Sequence, residues 1–138
     1  MSLAYAADSA AVLREVHQLL GRYFDGLYTS DADALASVFH PDALYATAAA
    51  GPFTRLTMAE YLPIVDAREA PATSGEQRTD AIESIEFAGP AAAMARVRCS
   101  IGPKRFTDLL SLVRTDGRWQ IIAKVFHVEP APASSTGA

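Results

Sequence analysis

The chain has 138 residues, 50% of them hydrophobic and 20% charged, which suits one core and leaves too little for a second domain. A formal charge of −4, with Lys104 and Lys124 as the lysines and the arginines scattered, argues against a nucleic-acid surface, because such a surface needs clustered cations. The single cysteine, Cys99, leaves no disulfide framework and no thiolate zinc site. No run approaches the ~20 apolar residues that span a bilayer, so a cytoplasmic protein is expected.

From Asp8 or Ser9 onward, Val12, Val16, Leu19, Leu20, Tyr23 and Leu27 recur at helical spacing and predict an amphipathic helix over about 9–28. Gly21 and Gly26 interrupt it, as sites of close packing or of fraying. A shorter helix follows from Ser30, with Asp31 and Asp33 in its first turn and Leu35, Val38 and Phe39 on its buried side; His40-Pro41 ends it. Ala43 to Ala49 reads as a strand closed by Gly51-Pro52. Thr57 and Glu60 form a capping box for a third helix that carries Pro63, and 67–76 is expected to be a mobile surface loop.

Four strand candidates end the chain, at about 77–88, 91–101, 104–115 and 118–128. Gly89-Pro90, Gly102-Pro103 and Asp116-Gly117 separate them, and connections this short make antiparallel neighbours. Residues 1–8 are expected to be a disordered leader, 9–129 one domain and 130–138 a disordered tail. Helices followed by a strand meander predict an α+β fold in which a curved antiparallel sheet wraps the N-terminal helices as a cone. A ligand would enter at its open end.

Two charges stand inside otherwise apolar strand text: Asp108 among Phe106, Leu109 and Leu110, and Lys124 among Ile121, Ile122, Val125 and Phe126. They are either a pair inside a pocket or a structural ion pair closing it. Tyr23 belongs to the buried stripe of the first helix, with its hydroxyl either seeking a core partner or pointing into the cavity towards Asp108. Cys99 alternates with Val97 and Ile101 as a small buried residue lining the cavity. Arg96 and Arg98 fall on the opposite face, within reach of Glu83 or Glu86. The three histidines, His17, His40 and His127, are dispersed without acidic partners at ligand spacing, so no metal is expected, and no cofactor is called for.

The stretch RYFDGLYTSDADALASVFHPDAL, the Thr57-capped helix and the ending DGRWQIIAKVFHVEP together resemble the nuclear transport factor 2-like superfamily, in particular its SnoaL-like cyclases and lumazine-binding-like group. The resemblance spans about Val12 to Glu129 and implies a cystatin-like cone that dimerises through its convex face. It is similar in fold to ketosteroid isomerases, in which a tyrosine on the first helix and a protonated acid on a late strand hold an oxyanion while a first-strand aspartate is the base. Tyr23 and Asp108 match the first two positions, but Thr47 stands where the base is expected, which counts against steroid-type isomerisation.

The resemblance makes Phe126 an aromatic pocket wall and puts Lys124 on its face. A two-residue Asp116-Gly117 turn sets Val125 opposite Asp108, and one more loop residue is expected to set Lys124 there; the family's parity favours Lys124. The candidate catalytic residues are thus Asp108, Lys124 and Tyr23, and the candidate ligand-binding residues are Tyr45, Thr47, Cys99, Phe126 and Ile122. The expected function is small-molecule binding in an apolar pocket. Its alternatives are a cyclase, isomerase or dehydratase acting on a small carbonyl compound, and a protein-interaction subunit.

Overall fold

The computed structural model describes residues 3–49 and 51–130. Helix α1 (Leu3–Thr29) starts ahead of the expected position near Ser9, because Ala4, Ala6 and Ala7 are strong helix formers and nothing there stops a helix. Its buried stripe is Val16, Leu19, Leu20, Tyr23 and Leu27, as the spacing predicts. The helix ends in a Schellman turn: Ser30 takes a φ of 49°, Ser30 N–H donates to the Leu27 carbonyl, and Asp31 N–H donates to that of Gly26. Asp31 then caps α2 (Ala32–Val38) by accepting the Ala34 N–H.

This tight corner depends on Gly26. A Cβ there would come within 2.7 Å of Leu35 Cδ2, whereas a Cβ on Gly21 would meet nothing within 4 Å. Of the two helix glycines, only Gly26 marks close packing.

The sheet has the order β2-β1-β6-β5-β4-β3. Its strands are β1 (Phe39–Thr47), β2 (Thr54–Thr57), β3 (Ala81–Phe87), β4 (Ala92–Ile101), β5 (Lys104–Thr115) and β6 (Arg118–Pro130), with α3 (Met58–Ala67) between β2 and β3. The short edge strand β2 was not expected; it pairs antiparallel with β1. The sheet is not antiparallel throughout, since β1 lies parallel to β6. That pairing skips from Phe39 to Leu44 around Pro41, which has no N–H to give the ladder. The capping box of α3 forms as predicted, with Thr57 N–H donating to Glu60 Oε1 and Glu60 N–H to Thr57 Oγ1.

The segment 68–80 is strapped down rather than loose. Tyr28 Oη donates to the Glu76 carbonyl, the Glu76 carboxylate accepts the Gly102 N–H, and Arg78 pairs with Asp25 and Asp80. Residues 1–2 of the expected leader and 131–138 of the expected tail lie outside the described residues.

The β5–β6 hairpin decides what faces the interior. Asp116 and Gly117 have φ of 53° and 76°, the paired positive values of a tight hairpin turn, and Thr115 pairs with Arg118. A bulge then shifts the register, because Ser111 pairs with Ala123 and Leu112 with Ile121, leaving Ile122 as the extra residue. Phe126, not Val125 or Lys124, therefore stands opposite Asp108. The extra residue enters on the β6 side, so the shift runs towards Phe126, and Lys124 pairs with Leu110 instead. The expected parity survives: Leu110, Asp108, Lys124 and Phe126 are all buried on the inner face.

Candidate functional site

The inner wall places Asp108 and Lys124 diagonally, one pair of residues apart on adjacent strands, close enough for long side chains to meet. Lys124 Nζ lies 4.0 Å from Asp108 Oδ2. Tyr23, reaching across from α1, donates its hydroxyl to the same Oδ2 at 2.6 Å. Asp108 is 0% exposed and Lys124 4%, and Asp108 Oδ1 is buried without a hydrogen-bond partner among the described residues.

Four aromatic rings box the ammonium. Phe126, Tyr23, Tyr45 and Tyr61 have centroids 5.2, 5.3, 5.4 and 5.7 Å from Nζ. Ring faces of this kind contribute about 0.5–2 kcal/mol each to a desolvated cation and replace part of its lost hydration. Tyr45 is the register partner of Lys124 on β1, and its ring stacks on Tyr61 at 4.6 Å. Tyr61 was missed in the sequence as a site residue, although Met58, Tyr61 and Val65 form the buried stripe of α3 at helical spacing.

Burial lowers the Lys124 pKa, but the Asp108 carboxylate opposes it, with smaller contributions from Tyr61, Cys99 and Tyr45, and the net shift is upward. The ammonium is therefore held as a cation. Burial and then Asp108 raise the Tyr23 pKa, so its hydroxyl stays a donor. Burial, with Asp108 adding to it, pushes Cys99 up to about 12, which makes it a poor nucleophile at neutral pH.

Two candidates do not join this group. Ile122, the bulge residue, lines a shallow groove of about 360 Å³ with Met94 and Ser111 of the outer face. Thr47 Oγ1 donates to the Phe126 carbonyl and accepts the Ala49 N–H, so its hydroxyl is committed to the backbone at the end of β1. Cys99 is half-buried, packs against the core, and borders a cleft with Phe24, Tyr28 and Thr79. Among the described residues no group of three or more His, Cys, Asp or Glu is placed to hold a metal ion, and no helix is long and apolar enough to cross a membrane.

The outer face carries Arg96 and Arg98, both paired with Glu83 at 2.7 and 2.6 Å. His127 is exposed there, while His40 accepts the Asp42 N–H locally.

A curved sheet wrapped on a long helix, with an acid, a lysine and a tyrosine meeting on its inner wall, defines an α+β protein of the nuclear transport factor 2-like class with a cystatin-like fold. The chain belongs to the family described as "Putative lumazine-binding", whose model matches residues 11–127.

Solved structures similar in fold include an NTF2-like protein of unknown function from Shewanella baltica, at 22% identity and a TM-score of 0.79, covering 88% of this chain and 97% of that one. An NTF2-like protein with a cystatin-like fold from Novosphingobium aromaticivorans is 17% identical, with a TM-score of 0.69 and coverage of 98% and 93%. A ketosteroid isomerase-like protein from Erwinia carotovora atroseptica is 13% identical, with a TM-score of 0.66 and coverage of 84% and 95%. A stretch of 43 residues is 37% identical to Aldolase FrzH of Cladobotryum sp, so the match takes in 30% of this chain and 34% of that protein's length.

Proposed function

We propose that this chain binds a small carbonyl compound at its inner wall, with the ligand oxygen against Lys124 and a ligand donor or acidic C–H against Asp108. The observation that carries this reading is Asp108 Oδ1, wholly buried and without a hydrogen-bond partner among the described residues, beside a buried ammonium. An unsatisfied buried acceptor costs about 1–3 kcal/mol, and a bound ligand removes that cost. The surrounding rings of Tyr45, Tyr61 and Phe126 supply the apolar contact that a small-molecule site needs.

A second reading, that the site also turns its ligand over, is favoured by the stretch similar to Aldolase FrzH. In that reading Asp108 Oδ1 takes a proton from the carbon beside a carbonyl, and the electron pair moves onto the carbonyl oxygen held by Lys124. The enolate carbon then bonds to a second carbonyl carbon, and the proton returns from Asp108 to the new alkoxide. Protons and electrons balance without an oxidant or cofactor. Cyclisation or isomerisation would use the same first step, with Asp108 in place of the first-strand base that Thr47 does not provide.

We place the partner of a homodimer on the outer face, where Met94, Leu109 and Val125 stand exposed on three neighbouring strands.

A thermal-shift screen of wild type and Asp108→Asn against small aldehydes and ketones tests the binding reading. A ligand that binds the folded state raises the melting temperature by mass action. Hits on wild type that vanish in Asp108→Asn support it. No hit on either protein, both folded, overturns it and leaves the protein-interaction alternative.

A further inference from the structure

Arg68 ends α3 as its C-cap residue, and its side chain turns back towards the α1–α2 corner, where Nε donates to Ser30 Oγ at 3.3 Å. Its Nη2 is buried and has no hydrogen-bond partner among the described residues. No carboxylate among the described residues lies within 4.0 Å of the guanidinium, whereas Arg78, Arg96 and Arg98 each pair with a carboxylate at under 3 Å. A guanidinium offers five donors in a planar fork, and one whose buried edge is unmatched has room for a planar anion.

Charge around the inner wall points the same way. Asp108 and Lys124 cancel each other, and Arg68 adds a cation that no carboxylate among the described residues pairs with. Burial raises the pKa of Tyr45, and Lys124 and then, more weakly, Arg68 oppose that rise. Ser30 and Arg68 each follow a ring of the box around Lys124 by seven residues, Tyr23 on α1 and Tyr61 on α3, so the guanidinium stands about two helical turns from that box.

We infer that the ligand is a small oxo acid, whose carbonyl lies against Lys124 and Asp108 and whose carboxylate takes the unpartnered edge of the Arg68 guanidinium. The inference rests on the carbonyl-binding reading above and adds the charge of the ligand and the residue that reads it. Arg68 contributes affinity and selects for the anion; it moves no proton.

Calorimetric titration with 4-oxopentanoate and its uncharged isostere 4-oxopentanamide tests this in wild type, Arg68→Gln and Arg68→Lys. Wild type is expected to prefer the anion by about tenfold or more, as a charge-assisted bidentate contact would give. Arg68→Gln is expected to bind both compounds alike, with amide affinity within about twofold of wild type. Arg68→Lys keeps the charge without the fork and falls between them; it decides the matter should Arg68→Gln not fold.

Equal binding of the two compounds to wild type overturns the oxo-acid inference and leaves the carbonyl reading standing. So does an undiminished preference in the folded Arg68 variants, which would make Lys124 the reader of the carboxylate. Binding of neither compound to folded wild type removes the carbonyl reading and the inference with it.

Discussion

Tyr23 and Asp108 lie 85 positions apart in the chain and share a 2.6 Å hydrogen bond between two side chains that are both 0% exposed. This bond and the 4.0 Å approach of Lys124 to the same oxygen make one buried polar group out of α1, β5 and β6. Removing any one member leaves the others with charge or donors unmatched. Lys124→Met strands the Asp108 carboxylate and is expected to cost about 3–5 kcal/mol, whereas Lys124→Met combined with Asp108→Leu recovers most of that loss. Urea unfolding of the two single variants and the double variant measures the coupling. Strict additivity would mean that the pair does not interact.

Alkaline pH is expected to weaken the fold. The raised Lys124 pKa means that the folded state holds this proton more tightly than the unfolded chain. Its contribution is whole below about pH 10.4, the ordinary lysine value, and is lost as pH climbs through the higher folded value. Cys99 acts with the same sign, from about pH 8.5 in the unfolded chain up to its folded value of about 12. Melting temperature should fall steadily across this window, and Cys99→Ala should flatten the part of the curve below the lysine value. A wild-type melting temperature unchanged from neutral pH to pH 11 would contradict these shifts.

The thiol itself gives a separate test. With its pKa pushed up to about 12, Cys99 carries far less thiolate at neutral pH than an ordinary cysteine. Alkylation by iodoacetamide in the folded protein is expected to be about 100-fold or more slower than in urea. Mass spectrometry of the native protein over time reads the rate directly, and labelling as fast as in urea would place Cys99 in an ordinary solvated setting.

The two helix glycines should respond in opposite ways to alanine. Gly21→Ala meets open space and is expected to stabilise α1 by up to about 1 kcal/mol. Gly26→Ala drives a methyl into Leu35 at the α1–α2 corner and is expected to destabilise by about 1–3 kcal/mol. Thermal unfolding of each variant beside wild type separates the two signs.

These glycines also show what the sequence could convey. Spacing placed both inside a helix, but which of them touches a neighbour depends on how Ser30 turns the chain, and that turn is a backbone event without a strong sequence signature. The helix stripe, the capping box and the positive-φ hairpin were legible because each depends on residues a few positions apart. The contact between Tyr23 and Asp108 was one of two readings left open, since burial of a tyrosine ring does not say where its hydroxyl points.

What was not legible came from single-residue irregularities and from contacts between elements distant in the chain. The bulge at Ile122 moved that residue to the outer face and set Phe126 opposite Asp108, because one extra residue inverts the side-chain alternation on one side of it. The parallel pairing of β1 with β6 brought Tyr45 against Lys124 and took the Thr47 hydroxyl out of use. Arg68 gave no signal, since the burial of its Nη2 arises where the end of α3 meets the corner between α1 and α2.

The most direct test of the inner-wall site is a two-dimensional amide NMR titration of the wild-type protein with 4-oxopentanoate. Ligand binding at that wall predicts shifts concentrated at Tyr23, Tyr45, Asp108, Lys124 and Phe126, with the outer-face strand positions Met94, Leu109 and Val125 much less affected. Shifts confined to those outer positions, or none at saturating ligand in a folded protein, would contradict it.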